Sequence, residues 1–323
     1  MFTCMMECED ETMDISIVIP VYGCKKAVSE LYRRIVVTLE KMGRSFEIIM
    51  VEDSCPQKSW EEIKKICQDD KRVVGIKLSR NFGQMKAITA GLKASCGDRI
   101  IVMDCDLQDR PEYIENLWNK AEEGFDIVYS KRKNRKDDFL VRLLSKMFYI
   151  IYNHFSDMKY DFEVGNFSIA NRKVIDAFLE MGENSRDYIM FLMWLGFKDT
   201  TIEIEGDKRF SGASAYTFRK KVNLAISLIT EQSNKPLIIS VKFGLLISLA
   251  SAIYIVYIIL RSVLVGDLDM GWPTIVASIY LVGGLILGAL GIAGIYIGNI
   301  FTETKNRPLY IVDELINGKE GEY

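Results

Sequence analysis

Histidine is all but missing: the 323 residues contain one, His154. A His-rich zinc site is thereby excluded, and so is a Ser-His-Asp triad unless that single side chain serves it. Cysteine is sparse and unpatterned. Cys4, Cys8, Cys24, Cys55, Cys67, Cys96 and Cys105 are odd in number and never spaced Cys-x-x-Cys, which fits neither a disulfide framework nor a zinc ribbon. They read as reduced thiols in a reducing compartment. No Gly-x-x-x-x-Gly-Lys-Ser/Thr loop occurs, so P-loop nucleotide hydrolysis is not implied. A dominant charge is lacking too: 41 Lys and Arg against 44 Asp and Glu leave a net −3, no general electrostatic reason to bind nucleic acid. The opening stretch, an acidic tail over 1–13, carries Glu7, Glu9, Asp10 and Glu11 and no cation. It lacks the basic-then-apolar pattern of a signal peptide, so the soluble part is expected to stay on the side where it is made.

Apolar residues, by contrast, are plentiful and segregated. Hydrophobic residues make up 49% beside 26% charged, with a mean hydropathy of +0.08, yet 243–260 and 274–298 carry no charge at all. The chain therefore divides into a soluble part and a membrane part. Within the first, Ile15 to Val21 is a short, β-branched, continuously apolar run that predicts a buried parallel strand. Strands at Phe46 to Val51, Val73 to Lys77, Arg99 to Met103 and Asp126 to Tyr129 alternate with helices at Ala27 to Lys41, Ser59 to Asp69, Gly83 to Ala94 and Pro111 to Glu123. That alternation predicts an α/β domain, mostly parallel, with helices on both faces. Beyond residue 130 it stops. Lys131 to Lys136 is a basic run followed by the apolar Phe139 to Phe155, which reads either as a solvated charge run beside a core helix or as an amphipathic helix at a membrane surface.

Leu237 to Leu260 and Pro273 to Gly298 are each long enough, roughly 36 and 39 Å as helices, to span a hydrocarbon core of about 30 Å. Two spans joined by a connector of about a dozen residues make a hairpin, with both termini on one side. Arg219, Lys220, Lys221 and Lys235 precede the first span and Lys305 and Arg307 follow the second, whereas the connector holds Arg261 against Asp267 and Asp269. This asymmetry predicts a cytoplasmic soluble domain. Gly284, Gly288, Gly294 and Gly298 give the second span a small-residue face for close packing, within the hairpin or between subunits of a homo-oligomer.

Chemistry is concentrated at strand ends. Asp104 and Asp106, at i and i+2 after an apolar strand, can share a hard cation such as Mg²⁺ or Mn²⁺ on a diphosphate; Gln108 and Asp109 follow at once. Glu52 and Asp53 end the second strand, where carboxylates either form a turn or accept hydrogen bonds from a base or ribose. In Ser79-Arg80-Asn81-Phe82-Gly83, Arg80 reads as a phosphate contact beside a helix start, or as part of a plain surface loop. Lys208 and Arg209, with Gly212, Ser214 and Tyr216, form a basic loop shortly before the membrane that could clamp a diphosphate or a lipid phosphate, or merely touch headgroups.

The order Val18-Ile-Pro-Val-Tyr22, Glu52-Asp53, Ser79-Arg-Asn-Phe-Gly83, Asp104-Cys-Asp-Leu-Gln-Asp109, Lys208-Arg209 with Gly212, Ser214 and Tyr216, and two spans resembles the family 2 glycosyltransferases of the polyprenyl-phosphate type. These include bactoprenol glucosyltransferases and dolichol-phosphate mannose synthases. The tail, Gly294-Ile-Tyr-Ile-Gly298 with Lys305-Asn-Arg-Pro-Leu-Tyr-Ile-Val312, is similar to the bactoprenol branch.

The resemblance implies a GT-A, Rossmann-like domain over 14–234 with juxtamembrane amphipathic helices at about 139–155 and 216–234. Two transmembrane helices at about 237–260 and 273–298 and a cytoplasmic tail over 301–323 complete the chain. The implied reaction is inverting transfer of a sugar from a nucleotide diphosphate sugar, UDP-sugar favoured, to undecaprenyl-type polyprenyl phosphate at a bacterial inner membrane. By position, Pro20, Tyr22 and Asp53, with Glu52, would hold the base and ribose, and Arg80 the phosphates. Asp104 and Asp106 would hold Mg²⁺ or Mn²⁺ and the diphosphate, Asp106 as the direct ligand. Gln108 and Asp109 would line the sugar or acceptor side, and Lys208 and Arg209 would bind phosphate.

Three departures stand out: Gly23-Cys24 replaces Asn-Glu, Ala215 replaces a Lys, and Asn166 replaces an Asp that relatives use as base or sugar ligand, Glu163 being the nearest carboxylate. Altered sugar specificity is the expected consequence. The alternatives are a processive polysaccharide synthase, whose Gln-x-x-Arg-Trp motif is absent, and an inactive membrane scaffold keeping the fold.

Overall fold

The computed structural model describes residues 13–133, 164–184, 186–206, 235–265, 271–305 and 307–318. In chain order these form β1 (Ile15–Val21), α1 (Lys25–Met42), β2 (Phe46–Glu52), α2 (Trp60–Asp69), β3 (Val73–Leu78), α3 (Gln84–Ala94) and β4 (Arg99–Val102). A 3₁₀ turn (Pro111–Tyr113) leads into α4 (Ile114–Glu122), then β5 (Ile127–Lys133), β6 (Val164–Asn171), α5 (Arg172–Glu180), α6 (Tyr188–Trp194) and β7 (Asp199–Glu205). Last come α7 (Lys235–Val265), α8 (Trp272–Thr304) and β8 (Val312–Ile316). They fall into two compact units: the sheet domain, which includes the described tail from Arg307, and the long helices α7 and α8.

The strands form one sheet in the order β7-β5-β6-β4-β1-β2-β3-β8. β1 to β5 and β7 point one way, while β6 and β8 run against their neighbours. This is the expected mostly parallel sheet of GT-A type. Every position of β1 and β2 is buried, as continuous apolar runs require when helices cover both faces. On one face α3 lies close on β1, and a Cβ at Gly91 would stand 2.4 Å from Val18 Cγ1.

The order turns around at β1: the chain steps outward through β2 and β3, then returns to place β4 on β1's other side. The crevice at the carboxyl ends of β1 and β4 is where such sheets hold ligands. Pro20 fits this place. Val18 O accepts from Met103 N on the β4 side and Val21 O from Asp53 N on the β2 side, so Pro20 faces β4. β4 has ended by Val102, paired with Val18, and the missing Pro20 N–H costs no ladder bond.

Three expectations are corrected. Cys24 and Cys105 are not reduced thiols but are disulfide-bonded, with Cα atoms 6.1 Å apart; Cys55, Cys67 and Cys96 take part in no disulfide. Their separation of 81 residues hides them from a spacing rule, yet each lies three positions past the end of β1 or β4, neighbouring parallel strands whose carboxyl ends face the same crevice. The run Lys131 to Lys133 is the end of β5 and not a separate charge run. The tail is likewise no mere tail, because Val312–Ile316 pairs antiparallel with β3. Its short polar sequence gives little strand signal, but β3 offers an open edge and Lys77 binds Asp313 and Glu314.

The amphipathic helices expected at 139–155 and 216–234 lie outside the described residues. Both long apolar stretches are helical, and within α8 Ser278–Thr304 is long and apolar enough to cross a membrane.

Candidate active site

The loops after β1, β2, β3 and β4 gather at the crevice. After β1, Tyr22 is 49% exposed, an aromatic face open to a ligand. After β2, Glu52 and Asp53 are buried, and burial pushes both carboxyls up. Glu52 accepts from the amides of Ser54 and Cys55 in its own turn. Asp53 reaches across to the next loop: Oδ1 accepts from Phe82 N at 2.7 Å and Oδ2 from Gly83 N at 2.9 Å. Asn81 Nδ2 adds a bond to Asp53 O at 3.2 Å. The sequence placed Asp53 against base and ribose; in the fold its carboxylate anchors the loop that starts α3. Gly83 permits this, with φ +98° and ψ 153°, a region open essentially to glycine alone. Arg80 is exposed, its guanidinium 4.1 Å from the Phe82 ring centre.

The same loop grips the β4 turn. Gln84, the first residue of α3, donates from Nε2 to Asp104 Oδ1 at 2.7 Å, and Asn166 Nδ2 approaches the same oxygen at 3.4 Å from β6. Asn166 arrives there because β4 and β6 pair antiparallel with Val102 opposite Ser168. Asp104 is pushed up to about 6 by enclosure first, and then by the neighbouring charges of Asp109 and Asp106. Asp106 Oδ1 accepts from Gln108 N at 3.1 Å, and Leu107 between them is held at φ 59°. A non-glycine residue in the left-handed region marks a turn fixed by its surroundings.

Asp109 is 2% exposed and takes a two-pronged ion pair from Arg132, while the third guanidinium nitrogen reaches Gln108 Oε1 at 3.1 Å. The strand end thus fixes the two residues expected on the sugar side. Sequence reasoning missed Arg132 and Gln84. For Gln84 a signal existed, since a polar side chain opening a helix after the Gly83 turn faces the crevice. For Arg132 there was none, because its meeting with Asp109 depends on sheet order.

Pro20, Tyr22, Glu52, Asp53, Arg80, Asp104, Asp106, Gln108, Asp109 and Asn166 therefore all lie on or beside the carboxyl-end loops and on β6 next to them. Glu163, Lys208, Arg209, Gly212, Ser214 and Tyr216 lie outside the described residues. Among the described residues no three His, Cys, Asp or Glu side chains converge as a ready-made metal cluster.

A sheet with its switch point at β1 and β4, and a paired-carboxylate turn there, is the arrangement expected of a GT-A fold. The chain belongs to glycosyl transferase family 2, whose model matches residues 16–179. It is 33% identical to an uncharacterized glycosyltransferase of Synechocystis over 305 residues, 94% of this chain and 96% of that protein. It is 33% identical to a prophage bactoprenol glucosyl transferase homolog of Escherichia coli over 301 residues, 93% of this chain and 98% of that protein. A bactoprenol glucosyl transferase of Shigella phage SfV is 32% identical over 301 residues, covering 93% of this chain and 98% of its own.

Proposed function

We propose that this glycosyltransferase moves one sugar from a nucleotide diphosphate sugar, UDP-sugar favoured, to a polyprenyl phosphate of the undecaprenyl type. The transfer inverts the anomeric carbon, takes place at the cytoplasmic membrane face and uses Mg²⁺ or Mn²⁺. The observation that carries the reading is how the crevice carboxylates are already committed. Glu52 and Asp53 hold backbone amides and Asp109 holds Arg132. Asn166, no base, stands at the β6 position beside Asp104. Asp104, bonded to Gln84 and Asn166, and Asp106, bonded to Gln108 N, stand together on the turn after β4 and are assigned to the metal. An acceptor hydroxyl needs a general base, whereas a lipid phosphate arrives as an anion and needs none. The whole-length likeness to bactoprenol glucosyl transferases supports the same acceptor.

The donor set suits a hard cation. Burial first, and then the like charges of Asp109 and Asp106, push the Asp104 carboxyl up to about 6, and a dication would relieve that repulsion. Asp106 is the direct ligand in this reading, with Asp104 beside it. When bound, the ion would neutralise charge developing on the departing nucleotide diphosphate. Around it the chain's own groups position the reactants. Tyr22 and Pro20 line the base, Glu52 and Asp53 fix the loops behind them, and Arg80 faces the phosphates. Gln108, Asp109 and Asn166 line the sugar side with Arg132 holding the first two, and Glu163 is the alternative to Asn166 for the role of the family carboxylate. Lys208 and Arg209, with Gly212, Ser214 and Tyr216, grip the acceptor phosphate. A phosphate oxygen then attacks the anomeric carbon in line as the bond to the nucleotide diphosphate breaks, so most of the rate comes from orientation and charge stabilisation.

In this reading residues 14–234 form the catalytic domain, 235–300 supply two spans, and both termini are cytoplasmic. The test incubates the purified full chain with polyprenyl phosphate, a panel of nucleotide sugars and Mg²⁺ or Mn²⁺. A lipid phosphate bearing one sugar is expected. Polymer, or no product with any donor, refutes the reading.

A further inference from the structure

The disulfide occupies a telling place. Cys24 follows the Tyr22 turn at the end of β1, and Cys105 lies between Asp104 and Asp106. Bonded, they tie together the roots of the two turns that flank the switch point. Cys24 and Cys105 lie within the hydrophobic core cluster with β1, α1 and the residues around β4, so both turns have apolar packing besides the bond. In a reducing compartment such a bond is transient and regulatory more often than structural.

We propose that Cys24 and Cys105 are a reversible oxidation site whose bond weakens donor binding, an inference that rests on the donor-site reading above. The oxidant class is peroxide, small enough to reach sulfurs on residues only 8% and 5% exposed. One thiol attacks peroxide to give a sulfenic acid and water; the second thiol attacks that sulfur, forming the S–S bond and releasing a second water. Two thiols lose two electrons and two protons, and the peroxide oxygens leave as two waters. A cellular dithiol returns the pair to thiols by exchange.

The direction follows from atomic sizes. Bonded sulfurs stand about 2.05 Å apart while non-bonded heavy atoms keep roughly 3.5 Å or more, so oxidation draws the two roots together by on the order of 1 Å. The change cannot be absorbed along a slack loop. Asp104 on one side of Cys105 is held by Gln84 and Asn166, and Asp106 on the other is tied into the turn fixed at Leu107. The carboxylates that face the diphosphate therefore move with Cys105, and the gap between them and Tyr22 narrows. A displacement of about 1 Å in positioning groups costs up to about 10²-fold in function.

The experiment compares the purified full chain treated with hydrogen peroxide or with dithiothreitol. Non-reducing peptide mass spectrometry follows the bond, and binding of uridine diphosphate with Mn²⁺ follows its effect. The oxidised protein is expected to yield a peptide linking Cys24 to Cys105 and to bind the nucleotide several-fold more weakly, with dithiothreitol restoring affinity. Cys24→Ser, which keeps the other thiols, is expected to lose this response. Absence of the linked peptide, equal affinity in both redox states, or an undiminished response in Cys24→Ser overturns the inference while leaving the donor site standing. Failure of the reduced protein to bind any nucleotide overturns the donor site, and this inference with it.

Discussion

Arg132 closes two guanidinium nitrogens on the carboxylate of Asp109, Nε to Oδ1 at 2.9 Å and Nη2 to Oδ2 at 2.8 Å, in a pair whose side chains are 20% and 2% exposed. The pair joins the end of β5 to the segment that follows the Asp104–Asp106 turn. Removing one partner strands a buried charge, so Arg132→Ala is expected to lower stability by about 3 kcal/mol. Replacing both, as in Arg132→Met with Asp109→Leu, should recover most of that loss while transfer stays impaired, because Gln108 has lost its anchor. Denaturant unfolding of the three variants checks the first statement, and a transfer assay the second.

Asp106→Asn is expected to cut turnover by about two orders of magnitude or more, since it removes the proposed metal ligand and no core packing. Its thermal unfolding should stay near that of the parent chain. Near-normal turnover in this variant would mean that the metal site lies elsewhere.

Acid should act through Asp104. Its carboxyl is raised from 3.8 to about 6, so the proton is held more tightly in the fold than in the unfolded chain. Without metal, this group's contribution to stability falls as pH rises from about 4 through 6. Nucleotide binding with Mg²⁺ shows the opposite trend, because it needs the ionised form: affinity should drop below about pH 6, and the midpoint should move lower as Mg²⁺ is raised. Calorimetric titration at several pH values and metal concentrations measures this. A midpoint indifferent to Mg²⁺ would separate Asp104 from the metal.

Glu314 of β8 is held by Lys64 at 2.7 Å and Lys77 at 2.8 Å, which keep its carboxyl down at about 2 against an ordinary 4.5. A depressed carboxyl stabilises the fold fully above its unfolded value and loses that contribution as pH falls from about 4.5 towards 2. The site is exposed enough for solvent screening to limit the effect to about 1 kcal/mol. Glu314→Gln should be less stable than the parent at pH 7, and the gap should shrink at about pH 3. Removing residues 307–323 should do more, baring the β3 edge and lowering both unfolding temperature and solubility.

Much of the sheet domain was legible because its strands are buried on both faces and read as unbroken apolar runs. The turn carrying Asp104 and Asp106 was equally plain, since paired carboxylates after such a strand stand out. What escaped depends on neighbours distant in sequence. Cys24 meets Cys105, and Arg132 meets Asp109, only through sheet order and register, which no local pattern encodes. β8 escaped for a related reason: its pairing is written in the open edge of β3 and in Lys77, not in its own five residues. Asp53 shows the converse, a residue located correctly whose carboxylate does something local spacing could not reveal.

The central claim is that the acceptor supplies its own negative charge, and it is tested most directly by offering the full chain polyprenyl phosphate and the neutral polyprenol side by side with one nucleotide sugar and Mg²⁺. Transfer of a single sugar to the phosphate alone is predicted. Comparable transfer to polyprenol would show that the crevice generates a nucleophile for itself, and would contradict the account.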